Sequence, residues 1–328
     1  MKFKNMMKYD ILYQDLLFQL RSRIPQNSKL VTKLVDILPL EKEAVYRRLR
    51  QEVPFTFEEI VTIAKEFSIS LDNMLGVDAR TTLPFRFQSN ENEYPVKIDY
   101  SLLEEYLQAI KDVASDSAGK ISSVANLLPQ LFYIGFKFIY RFYYFKWRYY
   151  SIPAHQTKSY HEIILPKQLI QIVEDIFVYS KKIKTVYFIL DNRIFQDFIN
   201  DVTYFNSIRL VRNEDVLCIK DELFHFLDYM ETIATNGFID DPSNKVFIYI
   251  SDTSIDTSYS CIDSQSSFRF ALIWSFIFNS VLTFDEETLN IMKHRVQSII
   301  RTSTLLSVTG EKQRTVYFEK QRKIVEQL

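Results

Sequence analysis

Pro39 constrains this chain more than any other residue, because it falls between two stretches of helical spacing with almost no room around it. Leu30, Val31, Leu34, Val35 and Leu38 recur at intervals of three and four, which marks one apolar helix face. Proline supplies no backbone N–H and disfavours helical angles in the residue before it, so that helix has to stop at Leu38. Spacing resumes at once. Ala44, Val45 and Leu49 predict the inward face of a second helix over Glu41–Arg50, with Lys42, Glu43, Tyr46, Arg47 and Arg50 outward. Two short helices joined by a tight turn, the second basic and aromatic outside, have the geometry that enters a DNA major groove.

The flanks extend the pattern. Leu12, Leu16 and Leu20 predict a helix from about Tyr9 to Arg23, ended by Pro25, Gln26 and Asn27, with Ser28 as the next N-cap. Val53-Pro54 closes the helix over 41–50. Thr56 and Glu59 then show capping-box spacing, ahead of Phe57, Ile60, Ile63, Ala64 and Phe67 on one helix face. Ser70 caps a last short helix carrying Leu71, Met74 and Leu75, and Gly76 stops it.

This five-helix layout over residues 10–77 resembles the Cro/repressor-type (XRE-like) helix-turn-helix family. The resemblance is carried by the ungapped Leu34-Val35-x-x-Leu38-Pro39-Leu40-x-x-x-x-Val45, by AVYRRLR (Ala44 to Arg50), and by FTFEEIVTIAKEFSISLDNML (Phe55 to Leu75). Three positions depart from it: Val35 stands where the family has alanine, Pro39 where it has glycine, and Glu41 where it has a Ser or Thr cap. The resemblance implies a sequence-specific transcriptional regulator that binds double-stranded DNA as a homodimer. It implies groove-facing positions at Lys42, Glu43, Tyr46, Arg47 and Arg50. Arg47 is the expected bidentate partner of a guanine, while Lys42, Arg48 and Arg50 are expected on phosphates.

Composition narrows the alternatives. Glycine is scarce, at 5 of 328 residues, and neither GxGxxG nor GxxxxGK[ST] occurs, so dinucleotide and P-loop chemistry are not expected. Cys218 and Cys261 form neither a disulfide framework nor a zinc knuckle, which fits a reducing, cytoplasmic setting. Net charge is −1. Residues 1–80 hold 13 Lys and Arg against 11 Asp and Glu, about +2, leaving about −3 for the remainder. The polarity suits an N-terminal nucleic-acid module, but weakly. The aromatic stretch Leu127 to Tyr150 has a membrane-like hydropathy, yet Lys137, Arg141, Lys146 and Arg148 interrupt it. Each charge at bilayer depth costs roughly 2.5–3.5 kcal/mol, so a buried aromatic helix is expected and no membrane partner.

The expected class is therefore mixed α and α/β: an all-α five-helix module, then a mostly helical domain with a small β-sheet. The expected boundaries are 1–78 for the DNA-binding domain, 79–98 for a linker and 99–328 for a regulatory or dimerisation domain, divisible at 158/159. In that last part, Ser101–Ala114 and Pro166–Tyr179 predict helices, Thr185–Leu190 a strand and Ile194–Val202 a helix. Asp215–Cys218 predicts a short strand, and Lys245–Ser251 with Ser258–Asp263 a strand pair. Helices are expected over Ser267–Val281, Asp285–Leu306 and Glu311–Glu326, with Ile291, Val296, Ile299 and Ile300 as a candidate dimer seam. Helix-turn-helix plus an FYYFKW segment resembles uncharacterised bacterial regulators, which adds no chemistry.

No enzyme is expected and no cofactor. His155, His161, His225 and His294 form no HxH or HExxH pair, and Asp191, Asp252, Asp256 and Asp263 are strand-end acids without a partner motif. An effector of unknown class remains open for the C-terminal domain. The competing reading is a protein-interaction or scaffold protein whose helical module docks a protein, favoured by Glu41 and Glu43 within the basic helix.

Overall fold

The structure, a computed structural model, describes residues 13, 16–21, 23–24, 26–67, 69, 71, 86–88, 100–152, 158–264, 269–276 and 279–328. The chain divides into two compact units, Met1–Pro84 and Phe85–Leu328. The all-α module followed by an α/β part, expected from sequence, is what the chain forms.

In the first unit α1 (16–21), α2 (Asn27–Ile37), α3 (Lys42–Leu49) and α4 (Phe57–Glu66) enclose one core. Leu16, Leu20, Leu30, Leu34, Val45, Leu49 and Ile63 are fully or almost fully buried in it. α2 ends where Pro39 requires, with the Leu38 N–H donating to Leu34 O at 3.0 Å and Leu38 in extended backbone. The N-cap of α2 is Gln26 rather than Ser28, so the helix starts two residues earlier than expected. The Thr56–Glu59 capping box forms as its spacing foretold. Ser70 and residues 72–76, which carry the fifth-helix expectation, lie outside the described residues, as do most of Tyr9–Tyr13.

The second unit is built on an eight-stranded sheet. Its elements are β1 (Arg86–Gln88), α5 (Tyr100–Ser115), β2 (Lys120–Ala125), α6 (Gln130–Tyr133), α7 (Lys137–Ser151), α8 (Lys167–Ser180), β3 (Thr185–Asp191), α9 (Ile194–Ser207) and α10 (Asn213–Asn236). They continue with β4 (Lys245–Ser251), β5 (Tyr259–Asp263), β6 (Arg269–Phe276), β7 (Asn279–Thr283), α11 (Glu286–Ile300), β8 (Ser303–Leu305) and α12 (Glu311–Glu326). Strand order is β1-β7-β6-β5-β2-β3-β4-β8. β2, β3 and β4 run parallel through helical crossovers; every other pairing is antiparallel.

Residue alternation assigns two faces. Ile121, Phe188, Leu190 and Ile248 join the large core shared with α5, α7, α8, α9, α10 and α12. Val124, Ile189, Cys261 and Ala271 point the other way, under Leu289 and Val296 of α11. Burial on both faces is why the central strands read as continuous apolar runs. It also pushes the Cys261 thiol up to about 12.

Five expectations change, the first being that the helix expected over Asp285–Leu306 stops at Ile300 and Ser303–Leu305 forms β8 against β4. Asp215–Cys218 is the first turn of α10, whose buried face runs Val216, Ile219, Leu223 and Phe226 at helical spacing. Ser267–Val281 contains the β6–β7 hairpin, not a helix. β4 and β5 are both strands but not partners: β4 pairs with β3 and β8, β5 with β2 and β6. Arg86–Gln88, inside the expected linker, forms the sheet edge on β7.

The aromatic segment is α6 and α7, and it is core. Phe142, Phe145 and Trp147 are at most 1% exposed. Two of the four basic residues that argued against a membrane find partners within the unit: Lys146 pairs with Asp201, and Arg141 donates to His161 O at 2.8 Å with its guanidinium over the Tyr160 ring. Among the described residues no helix is long and apolar enough to cross a membrane. The α7 start is held from outside: Glu222 of α10 accepts from the Ile139 N–H at 2.7 Å, where the helix dipole favours a negative charge.

Burial pushes the Glu222 carboxyl above the ordinary carboxylate range, against the pull of the Ile139, Phe138 and Lys137 N–H groups. The folded chain then holds this proton to higher pH than the unfolded chain. Its stabilising contribution is complete below the ordinary range and is lost as pH rises through the raised value. Glu222→Gln removes that loss while keeping an acceptor. Urea unfolding at a series of pH values should show the stability gap moving in favour of the variant from pH 4.5 upward; a pH-independent gap would contradict this.

Candidate nucleic-acid interface

α3 owes its position to one residue that faces inward. Val45 and Leu49 are buried, and Arg48, three residues after Val45, lies on the flank of that same face. Its side chain is 13% exposed and its partner Glu59 10%. The guanidinium is bidentate, Nε to Glu59 Oε2 at 2.8 Å and Nη2 to Oε1 at 2.9 Å, while Nη1 reaches Ala44 O at 3.3 Å. It also sits 5.9 Å from the Phe55 ring centroid. Arg48 was expected on a phosphate; its fork is instead spent within the unit, where a carboxylate compensates its burial.

Glu59 is shared. The same carboxylate accepts from the Thr56 N–H at 2.8 Å, closing the capping box of α4. Tyr13 adds a third tie, its hydroxyl donating to Arg48 O at 3.1 Å and accepting from the Phe55 N–H at 3.2 Å. Burial pushes the Tyr13 hydroxyl up, so it stays a donor. Arg21 Nη2 donates to Leu49 O at 3.1 Å. The carbonyl end of α3 is thus tied to α1 and its side to α4.

The helix closes in a Schellman turn. Glu52 N–H donates to Arg47 O at 2.9 Å and Gln51 N–H to Arg48 O at 3.0 Å, with Gln51 at φ 64°. At the other end Glu41 is N-cap by position but makes no side-chain cap bond.

What α3 shows outward is Lys42, Glu43, Arg47 and Arg50, all exposed. Tyr46 is half-buried against the core and not fully outward. Two acids share this surface: Arg47 pairs with Glu52 at 3.5 Å, and Arg50 with Glu43 and Glu52, each at 2.9 Å. These pairs are more than half exposed on the arginine side, so each is worth little in stability and is easily exchanged.

The other candidate residues do not assemble. Asp191 is buried and accepts from the Arg193 N–H at 2.8 Å and the Ile255 N–H at 2.7 Å. Asp263 pairs with Arg269 and Lys293, Asp252 accepts from Thr304, and His225 lies beside Asp221. His155 lies outside the described residues. Among the described residues no group of three or more His, Cys, Asp or Glu could hold a metal ion. Val296 is buried on the sheet, and Ile299 and Ile300 pack against it, leaving Ile291 alone of the candidate seam more than half exposed.

Two outcomes test the frame. Arg48→Ala, which strands a largely buried carboxylate, should destabilise the N-terminal unit by about 2–3 kcal/mol in denaturant unfolding. Arg47→Ala should stay within about 0.5 kcal/mol. Equal losses would mean that the pair does not hold α3. Gln51→Gly relieves a left-handed backbone and should stabilise by up to about 1 kcal/mol; a loss would contradict the turn described.

No curated protein and no solved structure matches the chain. A family model does, and the module it describes is a non-catalytic regulatory one. Residues 12–97 match the BetR domain, so an N-terminal helix-turn-helix regulatory domain of the BetR family is present, and it supports a DNA-binding regulatory role for this chain.

Proposed function

We propose that the chain is a transcriptional regulator that reads the DNA major groove with α3. The observation that carries this reading is the division of labour along AVYRRLR: Arg48 is consumed by Glu59, while Lys42, Arg47 and Arg50 are left exposed on one side of a fixed helix. Arg47 is central on that side and suits a bidentate guanine contact, worth about 1–3 kcal/mol of discrimination. Lys42 and Arg50 suit phosphates, with Glu43 and Tyr46 at the groove edge. Bound phosphates and bases replace Glu43 and Glu52 as partners of the two arginines, so the acids act as stand-ins that weaken nonspecific binding.

Residues 1–78 form the DNA-binding part in this reading, and the α/β part serves dimerisation or signal input. Binding as a homodimer to a two-fold operator suits the small contact area of a single module. The second reading, a protein partner for the helical module, is favoured by one observation, the Glu43 and Glu52 carboxylates on the exposed face. On a DNA duplex the first reading predicts salt-dependent binding and the second predicts none.

Fluorescence anisotropy of the full chain on a mixed-sequence duplex separates them. Arg47→Ala should weaken binding, and Glu52→Gln, which releases Arg47 and leaves Arg50 with Glu43 alone, should tighten it by roughly threefold to tenfold at low salt. Absence of salt-dependent binding would favour the protein-partner reading, and weaker binding by Glu52→Gln would contradict the stand-in role of the acids.

A further inference from the structure

The unit Phe85–Leu328 contains a cavity of about 460 Å³ at the carboxyl end of β2, within the size range of small-molecule sites. Topology puts it there. β2 has parallel β3 on one side and antiparallel β5 on the other. The chain winds one way through β3 and β4, then returns past β2 to β5. At such a reversal the connections leaving neighbouring strand ends diverge and leave a crevice. Here they are residues 126–129 after β2 and 252–258 before β5.

Both connections are fixed without a ligand. The buried Asp191 carboxylate holds the Ile255 N–H at 2.7 Å. Asn126 Nδ2 donates to Asp256 O at 3.3 Å, and Ser258 Oγ donates to Asn126 Oδ1 at 2.7 Å. The mouth is therefore preformed, which lowers the ordering cost of binding.

The lining combines aromatic walls with a hydroxyl floor. Tyr133 stacks on Tyr143 at 4.4 Å between centroids, and Tyr106 meets Trp274 edge-on at 5.4 Å. Ser260 Oγ donates to Ser123 Oγ at 3.1 Å and lies 3.3 Å from Trp274 Nε1, which donates to it. Burial raises the three tyrosine phenols, so the walls carry no charge at neutral pH. Among the described lining residues the cation is Lys146, already paired with Asp201, and the anion is Asp256, exposed at the rim. A phosphate or carboxylate ligand would lose its hydration and meet Asp256 with no unpaired cation in return.

We propose that this cavity binds a small, planar aromatic or heteroaromatic ligand without negative charge, held between the ring walls and hydrogen-bonded by the serine floor. Ring faces reward flat apolar surface, and hydroxyls fix its orientation. This goes beyond the DNA-reading proposal and stands or falls separately from it.

Indole is the probe, with tryptamine and indole-3-acetate as its cationic and anionic counterparts. The chain has two tryptophans, Trp147 and Trp274, so full-length protein carrying 5-fluorotryptophan gives two fluorine signals, assigned by Trp274→Phe. Indole should shift the Trp274 signal saturably and leave that of Trp147, which does not line the cavity, in place. Indole-3-acetate should bind roughly tenfold more weakly than indole, and Asp256→Asn should narrow that difference. Ser123→Phe, which fills the floor, should abolish the shift. Overturning results are no Trp274 shift at millimolar indole, parallel shifts of both signals, or indole-3-acetate binding as tightly as indole. The wild-type titration decides the matter even if Ser123→Phe does not fold.

Discussion

The Glu59 carboxylate receives the Arg48 guanidinium on two oxygens and the Thr56 N–H on one of them, so α3 and the start of α4 are fixed by the same group. Removing any partner leaves a charge with little access to water, which is why the arrangement resists slippage more than an apolar contact would. Everything proposed for DNA depends on it. A helix that presents three cations at set positions discriminates bases only if its rotation is fixed. Tyr13, before α1, and Arg21 at its end complete the clamp by bonding the carbonyls of Arg48 and Leu49.

Much of this was legible in the sequence. Pro39 placed the turn, apolar spacing placed Val45 and Leu49, and Thr56-x-x-Glu59 announced the cap. The role of Arg48 was not read, although its position three residues after Val45 was a signal that it flanks the buried face. What sequence could not supply was the partner: Glu59 was already accounted for by its cap, and nothing local says that one carboxylate does two jobs.

The α/β part was less legible, for physical reasons that differ by segment. β2, KISSVA, is not legible because Ser122 and Ser123 interrupt its apolar run, and Ser123 meets the Ser260 hydroxyl of β5 rather than an apolar partner. The β6–β7 region is apolar on both faces and lacks an Asn-Gly turn signal, so a helix of similar composition fits the same letters. Asp215–Cys218 has only three apolar residues, one of them β-branched, and the buried stripe that decides the matter continues to Ala234. Pairing of distant strands, such as β2 with β5, leaves no local trace at all. The cavity follows from that pairing and was therefore invisible beforehand.

The two units carry separable chemistry: an exposed basic helix face in one, an aromatic-lined crevice in the other. The central claim concerns the first. Selection of double-stranded DNA from a random library by the full-length protein, at about 150 mM salt, tests it most directly when repeated with Arg47→Ala. Enrichment of a motif whose guanine preference disappears in the variant is the expected result. Identical motifs from both proteins, or no enrichment by either, would contradict base reading by α3.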